Sequence, residues 1–82
     1  MTDNIPLEVL DRLRAVALSL KPLRDSMSET ARLRHAMDEV EGAFIVGISR
    51  QAVLEILQSQ GEFKMTMQSF KSALRRIRQE KQ

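Results

Sequence analysis

The sequence predicts an all-α fold: a small four-helix domain whose last two helices form a helix-turn-helix-like pair. Three observations carry that expectation. The 82 residues are 43% hydrophobic, yet three Phe are the only aromatics, so the core has to be built from Leu, Val, Ile, Met and Ala. That set favours helices over a β-sandwich. Apolar residues recur at helical spacing in four stretches, and Pro22, Gly47 and Gly61 punctuate them. A chain of this length has room for one modest core, so residues 1–82 read as a single domain, with N-terminal helices over 1–47 and the helix pair over 48–82.

In the stretch PLEVLDRLRAVALSL, Val9, Leu13, Val16 and Leu20 form a stripe with Leu10 and Ala17 beside it. Pro6 suits the first turn of this helix, and Asn4 or Asp3 is placed to cap it. Pro22 has no amide hydrogen and disfavours α geometry at Lys21, so the helix should end or kink near Leu20, with Leu23 packing beneath the bend. Ser26-Met27-Ser28-Glu29 has the S-x-x-E spacing of a capping box and should open the second helix. Leu33, Met37, Val40 and Phe44 form its inward stripe, while Arg32, His35, Asp38 and Glu39 fall elsewhere. This helix runs to about Ile45, with Gly47 as its stop. Ser49 is a natural N-cap for the third helix, whose inward face is Ala52, Val53, Ile56 and Leu57 and which Gly61 ends. Phe63 and Met65 then return to the core. Thr66 caps a last helix with Met67, Phe70, Leu74 and Ile77 on its apolar stripe.

Several function classes are disfavoured. Cysteine is absent, so neither a disulfide framework nor a thiolate metal site is possible. The start MTDNIPLEVL lacks the basic and apolar regions of a signal peptide, and no apolar run approaches a membrane span; the chain reads as soluble and cytoplasmic. His35, the only histidine, has no evident partner and reads as structural. Asp38, Glu39 and Glu41 form a carboxylate cluster, but adjacent helix positions point in different directions, so spacing alone makes no paired acid/base site of them and they read as a solvated face. Met37, Met65 and Met67 fit core positions. No phosphate-binding loop, dinucleotide glycine pattern, zincin motif or calcium loop occurs, so no enzyme and no cofactor are expected.

Charge is uneven. Residues 1–60 carry seven Lys/Arg against nine Asp/Glu, a balance of −2, and residues 61–82 carry six against two, a balance of +4. Such a segment suits an anionic partner, although cations at a helix C-terminus also offset the helix dipole. A tight turn between two helices braces the second so that its exposed residues enter the major groove of DNA or lie along the phosphates. Opposite the apolar stripe of the last helix stand Gln68, Lys71, Ser72, Arg75 and Arg78, with Ser69, Arg76 and Lys64 near the margins. Gln68, Ser69, Lys71 and Ser72, near the N-terminus of that helix, are candidates for base contact; Arg75, Arg76, Arg78 and Lys81 are candidates for phosphate. Lys64 and Thr66 complete the expected DNA-binding set.

The stretch GEFKMTMQSFKSALRRI adds a resemblance. Gly61, Phe63-Lys64-Met65, Thr66, Ser69-Phe70-Lys71-Ser72 and Arg75-Arg76 follow one another without a gap in the order seen in the TraK-type origin-of-transfer-binding proteins of conjugative plasmids, which this stretch resembles. The resemblance covers about the C-terminal half of the chain. It implies a small accessory DNA-binding protein of a plasmid or other mobile element. Such a protein binds double-stranded DNA at a transfer origin or a promoter and assists assembly with relaxosome proteins or transcription control.

Other readings stay open. The first helix carries Leu18 beyond its main stripe, either as a homodimer contact or as a satellite core contact. A helical protein-interaction module, an adaptor or inhibitor, would use the apolar first helix and the acidic second helix. A membrane-surface role for the last helix ranks lower, because its apolar residues are needed to close so small a core.

Overall fold

The computed structural model describes residues 7–80. Asp3, Asn4 and Pro6, expected to start the first helix, and Lys81, expected on DNA, lie outside the described residues. Among the described residues the architecture is all-α with four helices: α1 (Leu7–Leu20), α2 (Glu29–Ile45), α3 (Arg50–Gly61) and α4 (Met67–Glu80). A single 3-10 turn, Lys21–Leu23, follows α1 directly. Pro22 sits inside that turn, where its missing amide hydrogen costs nothing, and the chain leaves the α-helix at Leu20 as the sequence predicts.

The start of α2 corrects the expected capping box. Ser26 belongs to the preceding turn: its amide and its hydroxyl both donate to the Leu23 carbonyl, at 3.1 and 3.3 Å. The N-cap is Ser28, whose Oγ accepts the Ala31 amide at 3.1 Å. The 3-10 turn has to be completed before a new helix axis can begin, and that consumes Ser26. Glu29 is thereby released from box duty, and its Oε2 accepts the Lys64 amide at 2.7 Å, tying α2 to the link before α4.

The other helix ends follow local chemistry. Gly47 takes φ 95° beyond α2, where its amide donates to the Phe44 carbonyl and that of Ile48 to the Ala43 carbonyl, a Schellman closure. The Ser49 Oγ accepts the Ala52 amide at 3.1 Å and caps α3. At the far end of α3 the left-handed residue is Glu62, with φ 54°, rather than Gly61. Gly61 is glycine for another reason. A Cβ there would stand 3.0 Å from the Ala17 carbonyl oxygen and 3.0 Å from the Phe63 ring, so its absence sets how closely α3 approaches α1.

Helix α1 lies against both α2 and α3. Val9 borders Gly42 and the Leu20 carbonyl meets Arg32, so α1 and α2 run antiparallel; Leu10 borders Ala52 and Ala17 meets Gly61, so α1 and α3 run parallel. Leu13, Ala17 and Leu20 of α1 join Leu33, Met37 and Val40 of α2, Val53 and Leu57 of α3, and Phe70, Leu74 and Ile77 of α4 in one core. Phe63 and Met65 are buried in it, as expected from their spacing. Leu18 stays outside the core cluster and 50% exposed, so it is not a satellite core contact.

Arg32 departs from expectation: it is buried, at 1% exposure, instead of lying off the inward stripe. Its Nη1 donates to the carbonyls of Gly61 at 2.6 Å and Leu20 at 3.4 Å, its Nη2 to that of Glu62 at 3.5 Å, and its Cζ stands 4.2 Å from the centre of the Phe63 ring. Leu20 and Gly61 end α1 and α3, where helix carbonyls lack intrahelical partners and the dipole is negative. The buried cation is balanced by two helix C-termini and an aromatic face instead of a carboxylate.

Candidate nucleic-acid interface

Helix α4 has the most one-sided apolar pattern in the molecule. Phe70, Ala73, Leu74 and Ile77 are buried, whereas Gln68, Ser69, Lys71, Ser72, Arg75, Arg76 and Arg78 are exposed. The link of residues 62–66 presents its N-terminus: Phe63 and Met65 anchor the link in the core, and the Thr66 Oγ1 accepts the Ser69 amide at 3.2 Å as the expected cap. The Gln58 amide group adds a bond to the Met65 carbonyl at 3.1 Å.

Two ion pairs fasten the far end of α4 to α2. Arg34 bonds both carboxylate oxygens of Glu80, at 2.8 and 2.9 Å. Arg78 does the same with Glu41, at 2.8 and 3.1 Å, with its Cζ 5.8 Å from the centre of the Phe44 ring. Each raises the arginine pKa through its hydrogen bonds, and Arg34 lowers that of Glu80, with Arg76 adding a smaller attraction. Surface pairs of this kind add little stability singly, but two bidentate pairs fix the direction of α4.

The structure divides the expected site residues into three groups. Lys71, Arg75 and Arg78 line one depression together with Leu74, Gln79 and Arg50, the first residue of α3. Thr66, Gln68, Ser69, Ser72 and Arg76 line a second, with Thr30 and Ala73. Lys64 borders a third beside Asp25, Glu29 and Glu62, away from the cations of α4. The hydroxyls of Thr66 and Ser69 stand 3.3 Å apart within the cap, and Arg78 is held by Glu41, so these three carry structural duties as well. Arg50 is absent from the set that the sequence singles out. It lies in the charge-balanced part of the chain, and only the packing of α3 against α4 brings it to Lys71 and Arg75.

Among the described residues, no group of three or more His, Cys, Asp and Glu side chains is placed to hold a metal ion, and no helix is long and apolar enough to cross a membrane. The shape is that of a small helical protein with one basic helix held outward. Compared with models of known protein families, residues 21–82 match the StbA-like family, described as plasmid stabilization protein StbA-like. The match spans well over half of the chain, and the chain belongs to that family: it is a small plasmid-associated accessory protein, of a kind generally implicated in plasmid maintenance. No curated protein and no solved structure matches it.

This membership overturns the resemblance to TraK-type origin-of-transfer-binding proteins, and with it the assignment to conjugation and relaxosome assembly. The structure explains the misleading pattern. Gly61 permits a close helix approach, Phe63, Met65 and Phe70 fill the core, and Thr66 caps α4. Those are requirements of a helix pair packed in this way, and they carry no information about which DNA or partner is used.

Proposed function

We propose that this plasmid stabilization protein acts by binding double-stranded DNA through α4, with α3 as its brace. The single observation that carries the reading is the outward face of α4, where Lys71, Arg75 and Arg76 are exposed and, among the described residues, make no ion pair within 4 Å. Gln68, Ser69 and Ser72 supply groups for base edges near the start of the helix, and Lys71, Arg75 and Arg76 supply phosphate contacts. Thr66 and Arg78 have supporting places at the margins of this face, and Lys64 stands apart from it. The bound site is a plasmid sequence such as a promoter, the consequence is control of transcription in support of plasmid maintenance, and the compartment is the cytoplasm. A single basic helix makes a small footprint, so two copies acting as a homodimer, through the exposed Leu18 of α1, fit the reading.

The test is a titration of duplexes from the plasmid's own intergenic regions and of random sequence across a salt series. Arg75→Ala combined with Arg76→Ala, shown by circular dichroism to remain helical, should weaken binding to every duplex and reduce the salt slope by roughly 0.9 for each phosphate no longer neutralised. Wild-type affinity in that folded variant would reject the surface. A second reading, a protein-interaction module, is favoured by exposed Leu7 and Ile45, 71% and 83% accessible, at the start of α1 and the end of α2. It would show as binding to a protein partner with weak salt dependence and no affinity for DNA.

A further inference from the structure

The two flanks of α4 differ in chemistry. The depression holding Gln68 and Ser72 is lined by hydroxyl and amide groups with Arg76 as its one cation. The depression on the other side has four cationic side chains, Arg50, Lys71, Arg75 and Arg78, and no carboxylate in its lining. Glu41 engages Arg78 from α2, but Arg50, Lys71 and Arg75 form no ion pair among the described residues. Its volume of about 320 Å3 is far above the roughly 10–15 Å3 that one water molecule requires, so it has room for a phosphodiester group.

Arg50 is the informative member. A cation at the first position of a helix opposes the positive end of the macrodipole, so Arg50 is not placed there for the stability of α3. The capping role is already filled by Ser49, and the Arg50 side chain is exposed. Val53, Leu54 and Leu57 fix α3 in the core, which holds the Arg50 backbone in place opposite α4. A backbone phosphate entering the depression relieves the mutual repulsion of the cations and meets donors from two helices, already assembled.

We propose that this depression is a phosphodiester site in which Arg50 of α3 and Lys71 and Arg75 of α4 grip one strand of the DNA backbone, with the hydroxyl and amide flank of α4 turned toward the bases. This rests on the DNA-binding reading above and adds to it a second helix and an orientation. It makes Arg50 a sequence-independent contact, separate from any base recognition by α4.

The test compares wild type, Arg50→Gln, Arg50→Lys, Lys71→Gln and, as a control, Arg12→Gln, an exposed cation of α1 that borders α2. Each is checked for wild-type helicity and thermal unfolding. Fluorescence anisotropy with a plasmid duplex and a random duplex is followed between roughly 50 and 200 mM salt. Arg50→Gln should weaken both duplexes by the same factor and flatten the log–log salt slope by about 0.9, Arg50→Lys should restore most of the slope, and Arg12→Gln should match wild type. If Arg50→Gln keeps the wild-type slope while Lys71→Gln flattens it, the Arg50 site is wrong and the DNA reading stands. If wild type binds neither duplex, both are wrong. A loss confined to the plasmid duplex would also overturn the proposal, because it would make Arg50 a base-reading residue.

Discussion

Arg32 Nη1 donates to the Gly61 carbonyl at 2.6 Å, joining the first half of α2 to the last residue of α3. The same nitrogen reaches the Leu20 carbonyl at the end of α1, so one side chain gathers three helices. Directly beyond Gly61, Glu62 turns outward and pairs with Lys21 and Arg24, at 3.3 Å each. The chain that leaves this junction is the link presenting α4. The junction therefore positions the candidate interface without taking part in it.

Arg32→Met should keep much of the buried volume and leave helix-end carbonyls without their charged donor. The expected loss is about 1.5–3 kcal/mol in urea unfolding, the range for a hydrogen bond to a charged group. Arg32→Lys, which keeps the charge but not the planar fork, should fall between the two. A fully stable Arg32→Met variant would show that the helix ends do not need the cation.

The glycines of α2 and α3 should respond in opposite directions to alanine. Gly61→Ala has to push a Cβ against the Ala17 carbonyl and the Phe63 ring, and should cost about 1–3 kcal/mol. A Cβ added at Gly42, inside α2, would meet nothing within 4 Å, so Gly42→Ala should stabilise by about 0.5–1 kcal/mol. Equal effects at the two positions would contradict the packing described for α1 and α3.

Acid should loosen the far end of α4. The Arg34 hydrogen bonds hold the Glu80 carboxyl below the ordinary glutamate range, with Arg76 contributing. A carboxyl whose folded pKa is lowered adds stability that is complete above its unfolded value, near 4.3, and is lost as pH falls through the folded value. An NMR titration should place Glu80 below that reference in wild type and move it upward in Arg34→Gln. An unchanged Glu80 titration in that variant would mean the pair is not populated in solution.

Gln68 and Ser72 should govern which duplex is preferred. Gln68→Ala should lower the preference for the plasmid sequence over random duplex by about 1–3 kcal/mol if it makes a bidentate base contact, with the salt slope unchanged. Competition binding at fixed salt measures this directly. A uniform loss for both duplexes would assign Gln68 to the backbone instead.

What the sequence determined by itself is the set of elements: four helices, the exit from α1 before Pro22, the Gly47 stop, the Ser49 and Thr66 caps, and the inward stripe of α4. These are local properties, because periodicity, capping and proline geometry act within a turn or two of the chain. Tertiary structure decided the rest. Ser28 replaced Ser26 as the cap because a 3-10 turn came first, and Arg32 became a core residue because two distant helix ends converge on it. Adjacent Arg75 and Arg76 parted to opposite flanks of α4, and Arg50 joined only one of them. Which charges meet across helices depends on how the helices are packed, since a long side chain reaches whatever the packing brings near it, and neighbours in sequence on a helix point apart.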